Sequence, residues 1–377
     1  MEMLTSRNAV TRTALSPGDR LVVKLGTSSL VGSDGEPDEL RLATLCDEVA
    51  NLRSSGLSPI VVSSGAIAAG LTPLGFELRP ADIPSLQAAA AVGQGRLLRI
   101  YSRLFAERGI TAAQLLLTRY DFMNRQHYLN ARNTIDRLIA LGAMPLVNEN
   151  DTVAVDEIRF GDNDRLAALV SNLAGASLLI LLTDAAGVHV ADPRTKPKAE
   201  LLDEVERITP DIERGAGGRG SDLASGGMAS KLAAAWVATF SGVPAVVASA
   251  AEPDALSRIA AGERIGTYFH PRPKRVSARR LWIAFAQPPR GTVVVDAGAR
   301  DALVNGKRSL LPAGVVDVRG RFDAGATVDV MTPDERLVAR GLVRYASSEL
   351  EAAKGRPAAE FAGREVIHRD QLVVLED

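Results

Sequence analysis

Over roughly its first 270 residues the chain alternates short apolar runs with longer stretches of helical periodicity, and no other feature limits its fold so strongly. The apolar runs cover residues 20–25, 59–63, 112–117, 144–147, 177–182 and 244–248. Helical patterns lie between them, at 39–54, 85–107, 128–140 and 228–241 among others. Parallel strands need a crossover connection, usually a helix, so this alternation predicts an α/β fold of βαβ units with a mainly parallel sheet covered on both faces. Ligands of such sheets gather beyond the carboxyl ends of the strands. The loops that follow the runs are therefore where chemistry is expected.

The pattern ends at residues 270–280, HPRPKRVSARR, which are rich in proline and basic residues, without periodicity, and read as a linker. Beyond them come GTVVVDAGAR, SLLPAGVVDVRGRF, ATVDVMT and RLVARGLVRYAS, close-spaced β-rich runs with no long helix before Ser347. They predict a small β-barrel-like domain. The expected organisation is a disordered arm at 1–18, a first domain at 19–270, a linker at 271–284 and a second domain at 285–377. With 46% apolar and 24% charged residues in 377, the chain can bury a sizeable core. A net charge of -1 argues against broad nucleic-acid binding. No apolar run reaches membrane-spanning length, and the polar first 18 residues do not read as a signal peptide. The lone Cys46 excludes an internal disulfide, fits a reducing, cytoplasmic setting, and reads as a small buried apolar residue rather than a nucleophile. His127, His189, His270 and His368 are scattered without ligand spacing, which gives no support to a histidine metal site or a Ser-His-Asp triad.

Five loops carry the candidate chemistry. Lys24-Leu25-Gly26-Thr27-Ser28-Ser29 follows the first run: a glycine lets the backbone approach a ligand, hydroxyls and N–H groups suit phosphate oxygens, and Lys24 adds a compact charge. It is not a Walker A loop, and an ordinary strand-end lysine is the alternative. Ser63-Ser64-Gly65 leads into a helical run whose free N–H groups suit phosphate or carboxylate equally, or need no ligand at all. Asn148-Glu149-Asn150-Asp151 and Gly161-Asp162-Asn163-Asp164-Arg165 place amides and carboxylates where they could bind an ammonium group, orient lysines or hold a metal; a solvated turn is the alternative. Thr183-Asp184 ends the most apolar run and suits a nucleotide contact or a plain turn. Ser225-Gly226-Gly227-Met228-Ala229-Ser230-Lys231 opens a helix. A cation in the first turn of a helix is disfavoured by about 0.3–1 kcal/mol, so Lys231 makes best sense with an anion beside it. The GxGxxG match at Gly215–Gly220 follows no strand and opens no helix, and reads as a loop.

Together these segments resemble the amino-acid kinase superfamily, and within it the glutamate 5-kinases. VVKLGTSSL, SSGAIAAG, AAVGQGRL, LLLTRYD, VNENDTVA, RFGDNDRLAALV, LLTDAAGVHVADPR and SGGMASK occur in that family's order, and the C-terminal part resembles a PUA domain. The resemblance implies a three-layer α/β/α sandwich and phosphorylation of the glutamate γ-carboxylate by ATP with Mg²⁺, the committed step of proline synthesis. It implies that Lys24 and Lys231 contact the ATP phosphates, and that Thr183, Asp184 and Ser225 through Lys231 form the nucleotide site. Ser64, Asp151 and Asn163 would bind glutamate, and Asp164 would orient the lysines. Mg²⁺ would be held by ATP oxygens and water rather than by the protein. Proline as feedback inhibitor, a homo-oligomer, hand-over to glutamate-5-semialdehyde dehydrogenase and RNA binding by the PUA-like part are further expectations of the resemblance. One departure is visible: the family carries Gly-Thr before Gly-Gly-Met, where this chain has Ala224-Ser225. Serine keeps the hydroxyl, but alanine lacks glycine's freedom at φ > 0.

Overall fold

The computed structural model describes residues 12–376 except 13, 33–34, 154–162, 194, 197, 210–211, 213–214, 216–226, 273–279, 281–282, 285–288 and 362. The chain divides into two compact units, Met1–Arg275 and Val276–Asp377.

In the first unit the strands are β1 (Arg20–Lys24), β2 (Ser58–Val62), β3 (Ala112–Leu117), β4 (Met144–Glu149), β5 (Leu178–Thr183), β6 (Glu204–Val205), β7 (Ala245–Ser249) and β8 (Thr267–Phe269). They form one sheet in the order β3-β4-β2-β1-β5-β7-β8-β6. Every pairing is parallel except β7 with β8. The helices are α1 (Glu39–Ser54), α2 (Ala66–Leu71), α3 (Ile83–Ala106), α4 (Arg119–Met123), α5 (Arg125–Ala140), α6 (Asn163–Leu173), α7 (Met228–Phe240) and α8 (Ala255–Ala260). Period-two positions explain the layering. Leu21, Val23, Ile180, Leu182, Val246 and Ala248 face one side, where α1 supplies Leu42, Leu45, Cys46, Val49 and Leu52 and α3 supplies Leu97, Tyr101, Leu104 and Phe105. On the other side α6 packs on β1 and β5, and α7 packs on α6. The β4 and β5 strands are buried along their whole length, as a sheet covered on both faces requires.

Caps set several helix starts. Asp38 accepts from Arg41 N at 3.1 Å to open α1, and Asp82 accepts from Ser85 N at 2.9 Å to open α3. Asn124 accepts from Gln126 N and His127 N, which begins α5 three residues earlier than residue 128, the expected start. The α2–α3 crossing depends on two glycines. A Cβ on Gly70 would lie 1.8 Å from the Ala89 carbonyl oxygen, and one on Gly93 would lie 1.8 Å from that of Ala66. The two backbones touch, and only hydrogen fits between them.

The placement of some polar residues also differs from expectation. Asn163 and Asp164, read as an acidic loop, are the first turn of α6. Arg12, read as part of a disordered arm, is buried. Its guanidinium donates to the carbonyls of Asp203 (2.6 Å), Ile265 (2.8 Å), Gly266 (3.1 Å) and Glu263 (3.3 Å). Convergent carbonyls around β8 are the partners that let a guanidinium leave water. Residues 1–11 lie outside the described residues.

The second unit holds β9 (Gly291–Val295), α9 (Ala297–Val304), β10 (Val315–Arg319), β11 (Thr327–Met331), β12 (Leu337–Leu342), α10 (Ser347–Ala353) and β13 (Leu372–Val374). Its sheet runs β10-β9-β11-β12-β13, with only the β9–β11 pair parallel. Val293, Val295, Val328, Val330 and Val338 meet Leu303 and Leu350 in its core. DAGAR, expected within a β-rich run, turns into α9 because Asp296 accepts from Ala299 N at 2.7 Å and caps a helix there.

Candidate active site

The carboxyl ends of β1, β2, β4 and β5 lie side by side in the sheet, and the polar residues read from the sequence follow those ends. The strands are parallel across this line, but the order of connection reverses at β1: the chain continues to β2 on one side, while β5 is added on the other. A crevice forms at such a switch point.

Lys24 is the last residue of β1, Asp164 lies in the first turn of α6, and Lys231 lies in the first turn of α7. All three are buried, Asp164 completely. Lys24 Nζ stands 2.6 Å from Asp164 Oδ1, and Lys231 Nζ stands 3.2 Å from Asp164 Oδ2. Ser230 Oγ approaches the same Oδ2 at 2.7 Å and the Gly227 carbonyl at 2.9 Å. Burial pushes the Asp164 carboxyl up, but the charges of Lys24 and Lys231 and the hydrogen bonds from Lys24 and Ser230 outweigh it and hold the group well below the usual carboxylate range. The anion that Lys231 calls for is therefore supplied first by the protein itself. Two lysines facing one carboxylate still leave this cluster positive. The α7 N-terminus adds to that field: Gly227 is extended (φ -77°, ψ -177°), and among the described residues no side chain caps the helix there.

A second cluster is neutral. Asn163 Nδ2 donates to the Ser63 carbonyl and, at 2.6 Å, to Asn148 Oδ1. Asn148 Oδ1 also accepts from Glu149 N at 2.9 Å, and Asn148 Nδ2 donates to Gln94 Oε1 at 2.5 Å. Ser63 Oγ lies 3.1 Å from Tyr101 OH. Next to it, Ser64 Oγ is buried with no hydrogen-bond partner among the described residues. A buried hydroxyl left unpaired at the mouth of a polar cluster fits a ligand group.

Thr183 ends β5, the neighbour of β1, and donates through Oγ1 to the exposed Asp184 at 2.9 Å. Asp151 is half-buried in the turn after β4. Met228, Ala229 and Ser230 form the half-buried first turn of α7 beside Gly227. Ser225 and Gly226, like Asp162, Ala224 and 216–220, lie outside the described residues. Among the described residues no three His, Cys, Asp or Glu side chains converge to hold a metal ion. No helix among them is long and apolar enough to cross a membrane. A cavity of about 630 Å³ lined by Val190, Ala191, Lys196, Lys198 and Ala199 opens farther along the chain after β5, and no residue of the ionic cluster lines it. The sequence reading missed Gln94 and Tyr101, which sit within α3 at ordinary helical spacing. It noted Asn148 without giving it a task.

Residues 19–249 match the profile of the amino acid kinase family, and residues 291–363 match that of the PUA domain. The chain is 48% identical over 363 residues to a glutamate 5-kinase of a Geobacter species, covering 94% of this chain and 97% of that protein. It is 47% identical over 372 residues to the glutamate 5-kinase of Burkholderia multivorans, covering 97% and 100%. Among solved structures, a carbamate kinase from Giardia lamblia bound to AMP-PNP is similar at 19% identity and a TM-score of 0.48, over 68% of this chain and 100% of that one.

Proposed function

Because the chain belongs to the amino acid kinase family, and within it to the glutamate 5-kinases, we propose that it transfers the γ-phosphoryl group of ATP to the γ-carboxylate of L-glutamate, giving γ-glutamyl 5-phosphate and ADP. The observation that carries this reading is the buried, net-positive cluster of Lys24, Asp164 and Lys231 at the carboxyl edge of the sheet.

The chemistry explains the residue types. A glutamate side chain ionises near pH 4.3, so the nucleophile is already a carboxylate at neutral pH and needs no base. An oxygen of that carboxylate attacks the γ-phosphorus while the bond to the β–γ bridging oxygen breaks. The electron pair leaves with ADP, and no proton changes hands. The barrier is repulsion between two anions, and phosphoryl transfer is governed by positioning and charge stabilisation. Lys24 and Lys231 neutralise the transferring group from two sides. Asp164 holds both ammonium groups in place, and Ser230 anchors Asp164. The backbone N–H groups of Gly227 to Ala229 at the start of α7 bind the remaining phosphate oxygens. Mg²⁺ arrives as part of the nucleotide substrate, held by phosphate oxygens and water. Glutamate is held on the other side of the crevice: the Ser64 hydroxyl donates to a carboxylate, and Asn163 and Asp151 receive the α-ammonium group.

ADP release is measured with ATP and Mg²⁺ against glutamate, aspartate, N-acetylglutamate, carbamate and UMP. The acyl phosphate is trapped as γ-glutamyl hydroxamate, with and without proline. Turnover on glutamate, with hydroxamate formed, is the expected result; turnover confined to another acceptor overturns the reading.

A further inference from the structure

The neutral cluster has a direction, and that direction is fixed from both ends. The Ser63 carbonyl can only accept, so the Asn163 amide must present Nδ2 to it. The Glu149 N–H can only donate, so the Asn148 amide must present Oδ1 to it. These two backbone groups remove the ambiguity that a side-chain amide otherwise carries. Asn148 Oδ1 then also receives the second Nδ2 hydrogen of Asn163, at 2.6 Å. Both Asn163 hydrogens are consumed, and its Oδ1 is left as an acceptor to which no described residue donates. At the far end Asn148 Nδ2 needs an acceptor, and Gln94 Oε1 is that acceptor at 2.5 Å. Gln94 lies in α3 directly after Gly93, the residue at which α3 touches α2.

We infer that Gln94 is a positioning and specificity-determining residue: through Asn148 it locks Asn163 with its carbonyl oxygen toward the substrate, so that the site takes an acceptor carrying an α-ammonium group and disfavours the same dicarboxylate without one. This rests on the assignment of Asn163 to glutamate binding made above. The chain of amides is neutral, so it selects by the sign of a hydrogen bond and not by charge. An ammonium group has only donors and meets a carbonyl oxygen well. An Asn163 turned by half a rotation would present donors to that ammonium, and the contact would become repulsive. Gln94 adds to the hold of those two backbone groups: by accepting from Asn148 Nδ2 it further disfavours the rotated state of both amides.

The test compares Gln94→Met, which keeps the length but removes the oxygen acceptor, with Gln94→Glu, which keeps an acceptor in the same place. Steady-state constants are measured for glutamate, for glutarate (the same chain without the ammonium group) and for ATP. In Gln94→Met the glutamate KM should rise about threefold to tenfold, the scale of one hydrogen bond. The ATP KM and kcat should stay near wild type, and the preference for glutamate over glutarate should fall by the same factor as the glutamate KM rises. Gln94→Glu should restore both. Gln94→Ala carries the expectation of the methionine variant if that variant does not fold. The inference is overturned if glutamate and glutarate weaken in parallel, if the ATP KM moves with that of glutamate, or if Gln94→Glu behaves like Gln94→Met. Failure of the underlying reading looks different: the unsubstituted protein would then show no glutamate-dependent turnover.

Discussion

Two clusters flank the same edge of the sheet, and they are built on opposite principles. The one joining β1, α6 and α7 is ionic: Lys24 and Lys231 close on Asp164, all three out of water. The one joining β2, β4 and α3 is neutral: Gln94, Asn148 and Asn163 pass hydrogen bonds along a line of amides to the Ser63 carbonyl. They meet at the start of α6, where Asn163 serves one and its neighbour Asp164 the other. Buried charge is costly, and the ionic cluster carries it where, on the proposed function, a triphosphate must be offset. Amides cost less to bury when fully bonded, and their polarity can sort donors from acceptors. On the proposed function, recognition falls to the neutral half and transition-state stabilisation to the charged half.

The largest expected break lies in the charged half. Asp164→Ala leaves two buried ammonium groups facing each other, and removing one partner of a buried ion pair costs about 3–5 kcal/mol. Urea unfolding should show that loss, with turnover abolished. An unfolding midpoint within experimental error of wild type would show that Asp164 does not hold the cluster. The same group predicts a pH response. Its folded-state pKa is depressed from the ordinary 3.8 to about 2, so its contribution to stability is complete above 3.8 and is lost as pH falls from there toward the folded value. Acid unfolding of the wild type should be steepest in that window, and Asp164→Asn should flatten it.

Lys24→Ala and Lys231→Ala come next. Each leaves Asp164 with the other lysine, so circular dichroism should show an intact fold. Loss of one stabilising donor from a phosphoryl-transfer site should lower kcat about 100-fold or more. Near-normal turnover in either variant would remove that lysine from the chemistry.

The two halves were unequally legible in the sequence. Lys24 lies next to the end of one apolar run and Thr183 directly after another, and the length and bounding residues of those runs mark them as strands, so their place at the carboxyl edge followed from the pattern. The span of α1 was equally plain, because its buried positions recur at helical spacing. Lys231 was readable as an anomaly, a cation at the positive end of a helix, but the resolving anion was read as an external ligand. Asp164 fills that place first, and nothing local in RFGDNDRL shows that α6 starts there: asparagine and aspartate mark turns and helix starts alike. Gln94 was not legible at all. A glutamine within α3 has no periodic signature, and its bond to Asn148 joins residues 54 apart in the sequence, a contact that only the folded chain makes. β8 was too short, at three residues, to register as a run.

Smaller effects sharpen the neutral half. Asp151→Ala should raise the glutamate KM about tenfold, the scale of one charge-assisted contact, with the ATP KM unchanged. A raised ATP KM with an unaltered glutamate KM would move Asp151 to the nucleotide side.

Ser64→Ala sets the two halves against each other most sharply, because its sign on stability should be the reverse of that of Asp164→Ala. Ser64 Oγ is buried without a partner among the described residues, so the free protein gains nothing from it and carries its desolvation cost. Alanine removes that cost and leaves no cavity larger than an oxygen atom. The melting temperature of the free protein should therefore stay level or rise slightly. The benefit of the hydroxyl appears only when a substrate carboxylate accepts its hydrogen, so the glutamate KM should rise roughly threefold to tenfold and the thermal shift induced by glutamate should shrink. A free protein that loses stability on this substitution would mean that Ser64 is a structural member of the amide cluster. An unchanged glutamate KM would mean that the hydroxyl faces away from the substrate.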